Sequence, residues 1–160
     1  MEKIYICSPY RAKGAGERNR NIKYAQQLTR QAIEAGFAPI TPHLYMTQCL
    51  NEDDPKEREA GMAAGLALLE SCDFIMIGDK YGFSEDMKKE MVKGRALGIK
   101  AINENGMLEI KKKYKEIQAR NYAEACACNF CTGGRLHSCT GYDCREPYNK
   151  AYEYKMQHLL

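Results

Sequence analysis

The sequence lacks tryptophan and has only five prolines and four phenylalanines among its 160 residues. It also lacks a long apolar run, since no segment approaches the roughly 18 apolar residues that a membrane-spanning helix needs. Its first residues contain no long apolar segment followed by a small-residue cleavage site, so they do not resemble a signal peptide. We therefore expect a cytoplasmic protein that has no membrane partner.

The excess of positive charge is small, with a net charge of +3 at pH 7. Residues 1–110 carry 15 basic and 16 acidic side chains, and residues 111–160 carry 9 basic and 5 acidic ones. A nucleic-acid-binding domain usually shows a strong basic patch, so this surplus argues against a nucleic-acid partner. The apolar content of 44% is sufficient for one hydrophobic core.

Short apolar runs alternate with amphipathic segments over the first two thirds of the chain. The run 74–77 is entirely apolar, which is typical of a strand buried on both faces of a parallel sheet. The predicted elements are strands over 3–7, 37–40, 73–78 and 99–102 and helices over 19–35, 55–71, 85–97 and 107–124. This alternation predicts an α/β fold with a doubly wound, mainly parallel sheet of the Rossmann or flavodoxin-like type.

Polar segments follow three of the predicted strands, at 8–11, 41–45 and 79–84. In a doubly wound sheet, ligands bind outside the carboxyl ends of the strands. We therefore predict a small-molecule site formed by these segments, within an α/β domain over residues 1–106. Residues 107–160 are predicted to form a helical extension and a small cysteine-rich tail.

Glu90 lies on the apolar side of the predicted helix over 85–97. On a helical wheel it falls between Gly94 and Leu97, in the arc that also contains Met87. A carboxylate on a packed face is costly unless it is paired or functional. The residues leave both interpretations open: a glutamate bonded to an arginine or a backbone N–H at the edge of the stripe, or a reactive group.

Ser84 directly precedes the same helix, where it suits an N-cap. The hydroxyl and the free N–H groups of the helix N-terminus also suit a phosphate or carboxylate. Ser8 and Arg11 lie on the loop after the first strand, and an arginine can bind phosphate oxygens through paired hydrogen bonds. Because an exposed loop arginine is usually only solvated, the sequence leaves the role of Arg11 open.

Three further side chains at the strand ends have two interpretations each. His43 is either a hydrogen-bonded structural residue or a catalytic one. Tyr10 and Tyr45 can stack on a nucleobase, but tyrosine at the end of a strand is also ordinary packing.

Four segments together resemble the nucleoside 2-deoxyribosyltransferase-like superfamily. They are residues 4–11 (IYICSPYR), 42–45 (PHLY) and 72–78 (CDFIMIG), and the pattern Ser84-x5-Glu90-x7-Gly98. The resemblance covers about residues 2–103 and is strongest for a branch common in bacteria and their phages. It implies a nucleoside or nucleotide as small-molecule partner, a homo-oligomer, and N-glycosidase or N-deoxyribosyltransferase activity without an organic cofactor.

The resemblance also implies roles for individual residues. Glu90 matches the glutamate that attacks the anomeric carbon of the sugar, which forms a covalent glycosyl-enzyme intermediate. Ser84 and Ser8 match serines that hold a 5′-phosphate in the monophosphate-specific relatives, and Arg11 matches a phosphate-binding arginine loosely, because this loop has one extra residue. The predicted catalytic residues are Glu90 and His43. The predicted nucleotide- or phosphate-binding residues are Ser8, Tyr10, Arg11, Tyr45, Ser84 and Met87.

Gly65 departs from the family pattern. The enzymes carry an aspartate eight residues before the aspartate that begins the middle strand, here Asp73, and that residue assists the leaving base. Losing a general acid slows such a step by roughly 10²–10⁴-fold. Either His43 or Arg58 substitutes, or the substrate has a better leaving group, or the protein binds a nucleotide-derived signal without catalysis.

Five cysteines fall within residues 126–144, outside the resemblance. In a reducing compartment, crowded cysteines indicate a metal more than disulfides, so we predict a structural Zn²⁺ or, alternatively, an Fe–S cluster. The predicted ligands are Cys128, Cys131, Cys139 and Cys144. Cys126 and His137 are competing ligands. The alternatives are a tail of reduced cysteines and a tail that contacts a partner.

Overall fold

The structure is a computed structural model that describes residues 1–132 and 145–158, with side chains over 1–125 and 147–158. Within these ranges the strands are β1 (Lys3–Cys7), β2 (Ala38–Ile40), β3 (Phe74–Ile77) and β4 (Lys100–Asn103). The helices of the same ranges are α1 (Ala15–Glu34), α2 (Pro55–Glu70), α3 (Glu85–Ala96), α4 (Glu104–Thr132) and α5 (Arg145–His158). Two single-turn 3-10 helices, Pro42–Leu44 and Met46–Gln48, lie between β2 and α2. The chain divides into two compact units, Met1–Glu109 and Ile110–Leu160.

The strands of the described residues form one parallel sheet in the order β2-β1-β3-β4. Tyr5 of β1 lies opposite Ile40 of β2 and Ile75 of β3, so β1 is a central strand. The chain leaves β1 toward β2 and then returns past β1 to β3, so the winding direction reverses between β1 and β3. Such a reversal is the usual ligand site of this architecture. The predicted α/β, doubly wound fold is confirmed.

Side-chain caps determine where two of the helices begin. The Asp54 carboxylate accepts hydrogen bonds from two backbone N–H groups in the first turn of α2, and Pro55 occupies the first helical position. The Ser84 hydroxyl accepts a hydrogen bond of 3.2 Å from the backbone N–H of Met87, which caps α3. Gly98, with φ of 71°, follows the end of α3 in the left-handed conformation that glycine adopts without strain.

β1 is the buried centre of the first unit. Ile4 and Ile6 are fully buried on one face of the strand, and Tyr5 and Cys7 are buried on the other. Because side chains alternate along a strand, Tyr5 and Cys7 together face the helices α2 and α3. The other buried residues of that core cluster are Leu69, Cys72, Ile75 and Met87.

The helices differ from the sequence-based prediction at three places. α1 begins at Ala15 instead of residue 19, because Gly14 adopts the extended conformation of an N-cap. α4 begins at Glu104 instead of residue 107 and continues to Thr132 instead of residue 124. α5 was not predicted: it has no aliphatic stripe, and its apolar pattern includes Tyr148 and Tyr152, whose rings stack one turn apart.

No helix in the described ranges combines the length and the apolar content that crossing a bilayer would require.

Candidate functional site

A cleft opens where the sheet reverses its winding direction, at the carboxyl ends of the strands. Its walls are the loop after β1, the 3-10 segment after β2, one face of α2 and the first half of α3. The lining residues are Tyr5, Ser8, Tyr10, Arg11, Pro42, His43, Met46, Thr47, Glu52, Arg58, Gly61, Met62, Gly65, Ser84, Asp86, Met87 and Glu90. On α2 the lining positions recur every three to four residues, so a single face of that helix is presented to the cleft.

The structure brings most of the predicted site residues to this cleft. All eight residues predicted to be catalytic or nucleotide-binding fall within the described ranges. Seven of them line the cleft: Ser8, Tyr10, Arg11, His43, Ser84, Met87 and Glu90. Tyr45, also a described residue, is not part of the lining, and 47% of its surface is exposed. Met87 is 1% exposed and belongs to the hydrophobic core, so only part of its side chain faces the cleft.

The carboxyl group of Glu90 is held by β1. The Tyr5 hydroxyl donates a hydrogen bond of 2.8 Å to Oε1 of Glu90. Burial raises the pKa of Glu90, and the charge of Asp86 raises it further, whereas hydrogen bonds from Tyr5 and Cys7 act in the opposite direction. Burial and the neighbouring Glu90 raise the pKa of the Tyr5 hydroxyl, so this group keeps its proton. The carboxyl group of Glu90 is therefore oriented by a hydrogen bond whose donor, the Tyr5 hydroxyl, stays protonated.

Ser84 stands at the positive end of α3, six residues before Glu90. Its hydroxyl accepts the hydrogen bond from the Met87 N–H, so its own proton is available to a ligand. Arg11 is exposed at the rim of the same cleft. The combination of a hydroxyl donor, a helix N-terminus and a guanidinium group suits a phosphate or carboxylate.

Ser8 and His43 form a pair on the opposite wall. The Ser8 Oγ and the His43 Nε2 are 3.1 Å apart, and either atom can donate, depending on the tautomer of the ring. Burial lowers the pKa of His43 to about 4. The imidazole is therefore neutral at pH 7, and the ring centre of Tyr10 lies 6.0 Å from its own.

Gly65 of α2 lies against Tyr5, the hydrogen-bond partner of Glu90. A Cβ atom at this position would stand 3.2 Å from the Tyr5 hydroxyl oxygen. The position where the resemblance has an aspartate therefore lies directly beside the hydroxyl group that binds Glu90. This glycine leaves that part of the wall without a side chain.

Other cleft residues were not predicted from the sequence as ligands. Tyr5 could have been found from the alternation of β1, which places every second side chain toward α3. Arg58 of α2 donates to the carboxylate of Asp86 on α3, and no sequence signal pairs these two positions. Glu52 is half-buried in the loop before α2 and also lines the cleft.

The metal prediction lies outside the described side chains. Cys128, Cys131, Cys139 and Cys144 all belong to the stretch between residues 125 and 147. Among the side chains that the structure does describe, no three histidine, cysteine, aspartate or glutamate residues cluster as metal ligands would.

Comparison with known proteins gives one family and one solved structure. The model of a family described as a domain of unknown function (DUF7768) matches residues 2–104. A solved 2-deoxyribosyltransferase from Bacillus psychrosaccharolyticus is 20% identical, with a TM-score of 0.46 over 63% of this chain and 70% of that chain. No curated protein matches the sequence.

Proposed function

We propose an N-glycosidic function for this chain, which belongs to the family described as a domain of unknown function (DUF7768). The cleft binds a nucleoside or nucleotide, and Glu90 cleaves or transfers the bond between its sugar and its base. One observation carries the proposal: a hydrogen-bonded glutamate and a set of anion-binding groups line the same cleft at the topological switch point. A carboxylate nucleophile next to a sugar-phosphate site is the arrangement that this reaction needs.

The reaction takes place in two displacements. An oxygen of the Glu90 carboxylate attacks the anomeric carbon, and the electron pair of the carbon–nitrogen bond departs with the base. The resulting glycosyl ester is then displaced by water, which gives hydrolysis, or by a second base, which gives transfer. In either case the carboxylate is restored. Tyr5 holds one oxygen of Glu90 throughout, which orients the other toward the sugar.

The ligand's phosphate end lies at the N-terminus of α3. Ser84 and Arg11 supply donors there, and Ser8 supplies a hydroxyl from the loop after β1. Because the helix terminus carries a partial positive charge, a phosphate is favoured over a neutral hydroxymethyl group. Glu90 lies six residues further along α3, so one helix positions both the anion and the attacked carbon.

A second candidate function is binding without turnover, and Gly65 favours it. The departing base needs a proton unless it already carries a positive charge. His43 is unprotonated at neutral pH, and its Nε2 is engaged with Ser8. Without an acid beside the base, the rate falls by roughly 10²–10⁴-fold, and the cleft would then hold a nucleotide that it converts slowly or not at all.

Base release distinguishes the two candidates. The full chain is incubated with deoxynucleosides and deoxynucleoside monophosphates, and free base is measured by chromatography. Glu90→Gln should abolish release, whereas Glu70→Gln, an exposed carboxylate on α2, should leave it unchanged. Intact-mass measurement should detect a glycosyl adduct that the Glu90→Gln variant lacks.

Two outcomes contradict the enzymatic proposal in different ways. Release by Glu90→Gln as fast as by the parent protein would show that the nucleophile is wrong. Saturable nucleotide binding that survives Glu90→Gln, with no base released by either protein, would establish the binding function instead.

A further inference from the structure

An ion pair that joins α2 to α3 lines the anion end of the cleft. The Arg58 guanidinium donates through Nη2 to Oδ2 of Asp86. Both side chains are largely buried, with 28% of Arg58 and 22% of Asp86 exposed. The other carboxylate oxygen of Asp86 lies 3.9 Å from the Lys89 ammonium group, which is mostly in solvent. Arg58 therefore depends on Asp86 as its charge partner.

The guanidinium is incompletely satisfied by this partner. Arg58 Nε is buried and has no hydrogen-bond acceptor among the residues that the structure describes. A buried donor without an acceptor is unfavourable, so most native structures avoid it. A ligand that brings acceptor oxygens to Arg58 would remove this defect, and a phosphate presents several oxygens to one guanidinium.

The position of the pair coincides with the expected position of the ligand's charge. Arg11, Arg58, Ser84 and Asp86 line both the cleft and a neighbouring pocket toward Lys13. The Asp86 carboxylate thus lies among the groups that would hold a phosphate. In the free protein, the Asp86 carboxylate therefore takes the place that a ligand's phosphate oxygen would have beside Arg58.

We propose that Arg58 is the residue that selects phosphorylated ligands, and that the ligand's phosphate replaces Asp86 as the partner of its guanidinium. Asp86 is then an internal competitor, which an uncharged nucleoside cannot displace. The substrate class is a nucleoside monophosphate. This inference rests on the proposed nucleotide site but not on turnover, because it concerns binding only.

Replacing Asp86 by a phosphate as the partner of Arg58 also affects the pKa of Glu90. Asp86 raises the pKa of Glu90, and the other groups that face Glu90 are Tyr5 and Cys7 on β1. Removing Arg58 leaves the charge of Asp86 less well compensated, because the exposed Lys89 lies 3.9 Å away, so the Glu90 pKa should rise. Replacing Asp86 by asparagine should lower it.

Phosphate binding by the full chain tests the proposal, with inorganic phosphate, 2′-deoxyadenosine and its 5′-monophosphate as probes in calorimetric titrations. Arg58→Met should weaken phosphate and monophosphate binding by about tenfold or more, and Asp86→Asn should tighten it several-fold, since the competitor is gone. Nucleoside affinity should change less than twofold in both. Arg58→Lys keeps the charge but not the paired geometry, so it should lie between the parent and Arg58→Met.

The pair Lys93–Glu70 provides a matched control. It also joins α3 to α2, at 2.7 Å, but it does not line the cleft. Lys93→Met and Glu70→Gln should therefore leave phosphate affinity unchanged.

Three results would overturn the proposal. They are weaker phosphate binding by Asp86→Asn, an equal loss of nucleoside and monophosphate affinity in Arg58→Met, and no phosphate binding by the parent protein. A failure of the glycosidic function alone is distinguishable, because base release would be absent while the phosphate affinities still changed as expected.

Discussion

Tyr5 and Glu90 are 85 residues apart in the sequence, yet the Tyr5 hydroxyl donates a 2.8 Å hydrogen bond to the Glu90 carboxyl. Glu90 lies six residues after the cap of α3, and Tyr5 lies in β1, the most buried of the described strands. Tyr5 is 1% exposed and belongs to the hydrophobic core, whereas Glu90 lines the cleft, so the hydrogen bond ties a cleft carboxyl group to a core side chain. The bond therefore marks the end of the cleft where the proposed nucleophile lies.

Removing the Tyr5 hydroxyl should impair the reaction more than ligand binding. Tyr5→Phe deletes the donor to Glu90, so we expect about a tenfold or greater loss in turnover with little change in KM. The acidic limb of the pH–rate profile should move to higher pH, because this hydrogen bond lowers the Glu90 pKa. Tyr24→Phe is the control, since Tyr24 bonds to Glu104 away from the cleft. An unshifted profile in Tyr5→Phe would contradict the assignment.

Glu90→Gln should stabilise the protein at neutral pH. The folded-state pKa of Glu90 is raised above the ordinary 4.5, so its favourable contribution is complete below pH 4.5 and is lost as the pH rises through the folded value. Each unit of that shift corresponds to about 1.4 kcal/mol. Thermal melts should show a Tm advantage for Glu90→Gln at pH 7 that shrinks toward pH 4. A constant difference across this range would show that Glu90 is not desolvated.

His43 should make the fold sensitive to acid. Its pKa is lowered from 6.5 to about 4, so its contribution is present above pH 6.5 and is lost as the pH falls through 4. The contribution is at most about 3–4 kcal/mol. In urea unfolding, the free energy of unfolding of the parent should fall between pH 6.5 and 4. In His43→Gln this fall should be smaller, because the contribution of His43 is absent. His158→Gln, an exposed histidine on α5, should behave like the parent.

Gly65→Asp tests whether the missing acid limits the reaction. The new side chain would enter the cleft beside Tyr5, whose hydroxyl oxygen lies 3.2 Å from the position of the added Cβ atom and must shift by a few tenths of an ångström. We expect base release from deoxynucleoside monophosphates to rise by roughly 100-fold, at the lower end of the 10²–10⁴-fold range of general acid catalysis. Gly65→Asn has the same shape but no carboxyl group, so it should not accelerate release. Equal rates for the two variants would show that no acid is needed here.

Ser84 caps α3, and substitutions can separate this cap from its proposed role as a phosphate ligand. Ser84→Ala removes the cap of α3 and should cost about 1 kcal/mol of stability together with phosphate affinity. Ser84→Asp keeps a capping oxygen but adds negative charge, so stability should be retained while phosphate binding is lost. Asp54→Ala removes the cap of α2 and should cost similar stability without changing phosphate affinity. Phosphate binding that survives Ser84→Asp would exclude Ser84 as a ligand.

The elements whose signals are local can be predicted from the sequence alone. Asp54 and Ser84 mark the starts of α2 and α3 because capping acts over two or three residues, and the apolar run 74–77 marks a strand buried on both faces. Strands that alternate with helices then specify a parallel, doubly wound sheet, and a parallel sheet places its site at the carboxyl ends.

Which side chains meet follows from the packing of the folded chain and not from any local pattern. Tyr5 with Glu90, Arg58 with Asp86 and Ser8 with His43 are joined by the packing of separate elements. Tyr45 had the same local signal as Tyr10 but lies outside the cleft lining. Sequence patterns report the face of an element that is buried, because burial follows the helical or strand period. They do not report the partner across that face, because the partner depends on how elements distant in the chain pack together.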